Sequence, residues 1–131
     1  MTPYFRFESN PAAFVSTKDS NAATEEFVVR LPRNTESKQA LLCALNDQLR
    51  FPYFGFNWDA LLDCLRDLSW LNPGTLVLVH EAFPVLDERD ARTYVQVLKS
   101  AAEDWKPNES HRIVVVFPEN VRERISRWLA S

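Results

Sequence analysis

The sequence predicts an α/β fold, a two-layer or three-layer sandwich in which crossover helices link a small three-stranded parallel sheet. Three observations carry this. Apolar runs at residues 27–31, 75–79 and 113–117 have the β-branched and aromatic composition of strands. The segments between them repeat their apolar residues at helical spacing. Strands alternating with helices are the pattern of parallel sheets, because a parallel pair needs a long crossover. At 131 residues, 46% hydrophobic and 25% charged, the chain is the size of one compact domain.

Residues 1–24 read as an N-terminal extension to which the sequence assigns no definite structure. Tyr4-Phe5-Arg6-Phe7 alternates enough for a short strand, whereas Asn10-Pro11 and Ser16 to Asn21 look like loop. Phe27 to Leu31, stopped by Pro32, reads as a buried strand. From about Thr35 to Arg50, Leu41, Leu42, Leu45 and Leu49 recur at helical spacing, and Pro52 ends the pattern. After the aromatic loop Phe51 to Phe56, Asn57 can cap a helix reaching Leu68 or beyond. Asn72-Pro73-Gly74 is a turn, and Thr75 to Val79 is apolar throughout, as a central strand buried on both faces would be.

Asp87 can cap a long helix whose Ala91, Tyr94, Val95, Leu98, Ala101, Ala102 and Trp105 form a stripe facing the sheet, closed by Pro107. Ile113 to Phe117 is the third strand. Asn120 with Glu123 three residues later resembles a capping box opening a last helix, on which Val121, Ile125, Trp128 and Leu129 share a face.

Composition excludes several functions. With only Gly55 and Gly74, the chain cannot build the glycine-rich loops that bring backbone up to a nucleotide phosphate. No apolar run approaches the roughly 20 residues that cross a bilayer, and the N-terminus lacks a secretory pattern. Cys43 and Cys64 lie inside apolar helical patterns rather than in a disulfide framework, which points to a reducing, cytoplasmic setting. A net charge of −3 does not encourage nucleic-acid binding.

The helix after Asn57 carries the chemistry. At about 100° per residue, Asp63 and Asp67 fall within about 80° of Asp59, so three carboxylates form one stripe. Trp58, Leu61, Cys64, Leu65 and Leu68 gather opposite, Leu62 lies at the border, and Arg66 joins the acidic face. Like charges at this spacing weaken an isolated helix slightly, so the stripe is not there for helix stability. A row of anions rising about 6 Å per step imitates successive phosphates on a single strand, for which a ribonuclease keeps a row of cations. Acids near a helix N-terminus and charges on an outward face are also ordinary, so the spacing alone names no function.

The stretch Phe51-Pro52-Tyr53-Phe54-Gly55-Phe56-Asn57-Trp58-Asp59-Ala60-Leu61-Leu62-Asp63-Cys64-Leu65 resembles the signature segment of the barstar family of ribonuclease inhibitors. There an aromatic loop ending in Gly leads through Asn into a helix reading Asp-Ala-Leu, any residue, Asp-Cys-Leu. The order of elements agrees with that family across roughly residues 25–118. The resemblance implies a barstar-like domain over residues 25–131, with an additional C-terminal helix at about 120–130.

It also implies a non-enzymatic protein whose aromatic loop and acidic helix block the active site of a basic, extracellular-type ribonuclease. That role maps onto Tyr53, Asp59, Leu62 and Asp63, with Asp63 contributing most. Phe54 in the loop, and Arg66 and Asp67 on the same helix face, extend the expected partner surface. Trp70 joins it if the helix continues, since it then projects at about 20° on the same wheel; otherwise it is a loop tryptophan buried against the sheet. Three departures stand out: Leu62 replaces a tryptophan, the loop before Gly55 is one residue shorter, and Ser100 takes the place of an acidic contact residue. They leave open a barstar-like regulatory module that binds a different basic protein inside the cell.

Other constellations are weaker. Cys43, Cys64, His80 and His111 lack the short spacings of a zinc site, and Cys64 beside Asp63 is a packing cysteine rather than a nucleophile. Asp59 and Asp63 on one exposed helix lack the facing geometry of a glycosidase pair. Arg122, Arg124 and Arg127 beside Glu119 and Glu123 read as a solvated helix face. The expectation is a monomer when free, with no cofactor, no metal, no direct nucleic-acid contact and no membrane contact.

Overall fold

A computed structural model describes residues 4–14, 25–106 and 108–130; the loop expected at Ser16 to Asn21 and the helix stop at Pro107 lie outside them. Four strands form one parallel sheet: β1 (Phe5–Glu8), β2 (Glu26–Leu31), β3 (Gly74–His80) and β4 (His111–Pro118), in the order β1-β4-β3-β2. Four helices accompany them: α1 (Lys38–Leu49), α2 (Trp58–Asp67), α3 (Glu88–Asp104) and α4 (Arg122–Ala130). The expected strands are all present and parallel. The fourth, β1, comes from the segment read as an extension. Phe5 and Phe7 enter the core while Arg6 is exposed, and Phe5 pairs with Val115. Four alternating residues are too short a signal to separate an edge strand from a tail.

The position of each strand explains its composition. Residues 75–80 of β3 and 113–118 of β4 are buried on both faces, hence the unbroken apolar runs. β2 is an edge strand with one buried face: Val29 and Leu31 are inaccessible, whereas Val28 and Arg30 on the other face are only partly buried. On its outer side the Arg30 N–H donates to Gln48 Oε1 at 3.0 Å, and Gln48 Nε2 donates back to the Arg30 carbonyl at 2.8 Å. A side chain of α1 thus occupies part of the backbone edge to which another strand would otherwise add. Gly74 begins β3 at φ +152°, where a Cβ would lie 2.4 Å from the Glu25 carbonyl oxygen, so only glycine lets these strands meet.

All four helices pack on one face, where they join alternate strand residues in a single core. The opposite face presents Val28, Val77, Val79, Val114 and Val116, with Phe14 packed on them after a 3-10 turn at Pro11–Ala13. This division follows from crossover handedness. The connections from β2 to β3 to β4 step one way across the sheet, and the connection from β1 to β2 steps back, which puts it on the other side.

Side-chain caps fix three helix starts: Ser37 Oγ accepts from the Ala40 N–H, Asn57 Oδ1 from Ala60, and Asp87 Oδ1 from Asp90. The expected cap at Asn120 does not form. Glu119–Val121 tighten into a 3-10 turn running into α4, so Asn120 lies within the turn and Pro118 precedes it without a side-chain cap. Val121, Ile125 and Trp128 are buried as their shared face predicts. No helix among the described residues is long and apolar enough to cross a membrane.

The acidic face of α2 as the candidate binding site

The two sides of α2 separate as its sequence requires. Leu61, Cys64 and Leu65, with the capping Leu68, are completely buried; Asp59, Asp63 and Arg66 are exposed, and Leu62 and Asp67 are half-buried. The buried side packs on α3, where Trp105 Nε1 donates to the Leu65 carbonyl at 2.9 Å. At the start of α2, Trp58 Nε1 donates to Asp90 Oδ1 at 3.0 Å, and Lys38 Nζ sits 5.1 Å from the Trp58 ring. The helix is fastened at both ends, so its carboxylates stand on a fixed support.

Arg66 does not neutralise the stripe. Its guanidinium turns to Asp104 on α3. Both side chains are about half exposed, 45% and 50%, so the pair adds little stability. It does occupy the one cation on the acidic face with an acid from the neighbouring helix, leaving Asp59, Asp63 and Asp67 without a basic partner among the described residues.

The aromatic loop is clipped to α2 at two successive turns. The Tyr53 hydroxyl donates to Asp67 Oδ2 at 3.0 Å, and the Cys64 thiol donates to the Tyr53 carbonyl at 3.2 Å. Tyr53 is 54% exposed, and its phenol pKa is raised, chiefly because it donates to the Asp67 carboxylate. Phe54 is half-buried, its ring centroid 4.7 Å from both Phe51 and Phe56. Phe56 is 40% exposed at φ +52°, a left-handed conformation that few aromatic residues adopt. Its position between Gly55 and the capping Asn57 was the available signal, because the chain must reverse there.

Of the two readings of Trp70, the one that needs a continuing helix does not hold. α2 ends at Asp67, and Leu68 takes a left-handed conformation at φ +50°, so Trp70 leaves the wheel of the acidic stripe. Its indole N–H donates to the Leu49 carbonyl at 2.8 Å and its ring meets Phe51 edge-on at 5.7 Å. Trp70 therefore braces the base of the aromatic loop from a half-buried position. Asp90 and Asp104, on another helix, were missed because only the fold brings them to α2.

The other titratable candidates are absorbed by the fold. His80 is completely buried, and His111 bonds Ser110 Oγ and the Leu71 carbonyl. Among the described residues no three His, Cys, Asp or Glu side chains gather as metal ligands would. Burial pushes the Cys64 thiol up to about 11, with Asp63 and Asp67 adding to the effect. Iodoacetamide should accordingly modify the half-buried Cys43 of the native protein and spare Cys64 until unfolding, which mass spectrometry of timed samples will check. Early labelling of Cys64 in folded protein would contradict its packing role.

A family model described as Barstar (barnase inhibitor) matches residues 26–118. No curated protein matches the chain.

Proposed function

Because this chain belongs to the barstar family, whose model spans residues 26–118, we propose that it inhibits a basic ribonuclease by inserting α2 and the aromatic loop into the enzyme's active-site cleft. One observation carries the reading: three carboxylates without basic partners share the outward face of a helix whose other face is buried and whose ends are tied down. A cleft that binds the phosphates of RNA presents cations, and a rigid row of carboxylates meets them without reorganising. Tyr53, Phe54 and Leu62 add partly exposed apolar surface beside the acids, the mixture of anchors and charges from which tight interfaces are built. The protein performs no chemistry in this role; it competes with RNA.

Asp59 and Asp63 are the principal charged contacts in this proposal. Asp67 holds Tyr53 in place through one carboxylate oxygen, and its second oxygen would be available to the partner. Leu62 fills a pocket smaller than a tryptophan would, so the enzyme is shaped differently from one that accepts the larger ring.

The direct test is a titration of the purified protein into a barnase-type ribonuclease cleaving a fluorogenic RNA. Activity should fall linearly to an endpoint at equimolar inhibitor. The association rate should drop as salt rises while dissociation changes less, since steering acts through a screened field and the docked contacts are dry. If basic secreted ribonucleases are unaffected, and affinity capture instead returns a basic protein without nuclease activity, the inhibitor reading is lost to a regulatory one.

A further inference from the structure

A second site lies away from α2, at the carboxyl ends of the sheet strands. Among neighbours in this sheet, β4 leads into α4 on the helical face, whereas the adjacent β1 leads into Pro11–Phe14 on the opposite face. Connections that diverge to opposite faces leave a crevice at the carboxyl ends of the two strands, where parallel sheets hold ligands. A cavity of about 740 Å³ occupies that place, within the size range of small-molecule sites. Its lining draws on the segment after every strand: Ser9, Arg33, Glu81 and Asn120, with Phe83 on its wall and Arg124 reaching in from α4.

The lining sets Arg33 and Arg124 beside Glu81 and Glu119, and the two arginines are the charges left for an anion. Glu119 is already held by Arg122 through two hydrogen bonds, at 2.7 and 2.9 Å. Arg33 and Arg124 have no carboxylate partner among the described residues. The Arg124 guanidinium carbon sits 5.2 Å from the centre of the Phe83 ring and 5.4 Å from that of the Trp128 ring. A cation–π contact of this kind need not consume a guanidinium's N–H donors, which can still serve an oxygen acceptor.

Arg33 stands in a turn made rigid by two bonds: Thr35 Oγ1 donates to the Pro32 carbonyl, and the Val85 N–H donates to the Thr35 carbonyl, each at 2.9 Å. Two guanidinium groups lining one crevice can together meet the oxygens of a phosphate. The cavity is several times larger than a phosphate, with Phe83 supplying apolar wall and Glu81 a hydrogen-bond acceptor for N–H groups.

We propose that this crevice binds a small organic phosphate of mononucleotide size, its phosphate held by Arg33 and Arg124 and its remainder seated against Phe83 and Glu81. The site shares no residue with α2 or the aromatic loop, so it stands whether or not the chain inhibits a ribonuclease.

The test is a titration of the full chain with AMP, ribose 5-phosphate and inorganic phosphate, followed by calorimetry and by amide shifts in NMR. At least one of the two organic phosphates should bind saturably, more tightly than inorganic phosphate, and shift the amides of Ser9, Glu81 and Asn120. Arg33→Gln and Arg124→Gln should each weaken that binding by at least about tenfold, the loss expected for a charge-assisted contact. Arg127→Gln, on the same helix but outside the cavity, should leave it unchanged. Both arginines are exposed, and the wild-type shift map stands independently of the variants. No saturable binding of either organic phosphate overturns the proposal. So does inorganic phosphate binding as tightly as both, or binding that the two variants leave intact.

Discussion

Replacing Asp63 by alanine is expected to weaken the complex with a cognate ribonuclease by about 3–5 kcal/mol, while changing folding stability by less than about 0.5 kcal/mol. The asymmetry follows from where the carboxylate stands. In the free protein Asp63 is exposed and forms no ion pair among the described residues, so its loss removes little. In the proposed complex it would face a cation withdrawn from water, and truncation would leave that cation buried alone. Asp59→Ala, in the first turn of α2, should show a smaller effect of the same kind. Tyr53→Phe removes only the hydroxyl bonded to Asp67 and leaves the ring, so it should cost less than either aspartate. Dissociation rates and urea unfolding, measured side by side, will separate binding from folding. If affinity for a proven partner survives loss of both Asp59 and Asp63, the acidic face is ordinary surface; the long helix around Lys99 and Glu103, which pair at 3.1 Å, becomes the next place to look.

The sequence was most legible where burial is greatest. β3 and β4 lie between two packed faces, so nearly every residue had to be apolar, and their boundaries differ from the expected ones by no more than two residues. The division of α2 into acidic and apolar sides was readable for a related reason: a helix packed on one side writes that geometry into a period of 3.6 residues. What stayed hidden depended on distant segments. β1 becomes a strand only because β4 offers it an edge. α2 stops at Asp67 although Ser69, Trp70 and Leu71 carry no helix-breaking signal; Leu68 turns left-handed, and Trp70 finds the Leu49 carbonyl. Arg66 joins the acidic face by its spacing, and only α3 supplies the Asp104 to which it turns. In each case local spacing gave the direction of a side chain on its own element, and a contact made by another element decided its role.

A stability loss of about 2 kcal/mol is expected as pH falls from 7 to 5, traceable to one histidine. His80 ends β3 with no accessible surface, its ring stacked on Phe117 at 4.4 Å. A carbonyl only accepts, so the 3.0 Å bond between Nδ1 and the Val116 oxygen places a proton on Nδ1. Nε2 of the neutral ring then accepts from the Tyr94 hydroxyl at 2.6 Å. Both ring nitrogens are satisfied by the neutral tautomer, and a second proton would introduce a charge with no water to solvate it. Burial accordingly lowers the His80 pKa from 6.5 to about 4, with the bond to Val116 opposing in part. The folded value lies below the unfolded one, so between about 6.5 and 4 the unfolded chain binds the proton that the native state refuses. The stabilisation is fully present above that window, declines through it as pH falls, and reaches a total loss of about 3 kcal/mol below it. Carboxylates also titrate near the lower end, so the decisive measurement is a difference. Unfolding free energies of the wild type and of the double variant His80→Phe, Tyr94→Phe, which removes donor and acceptor together, should be compared from pH 7.5 to 4.5. The wild type should lose about 2 kcal/mol more than the variant between pH 7 and 5; parallel curves would mean that His80 takes up its proton without unfolding the core around it.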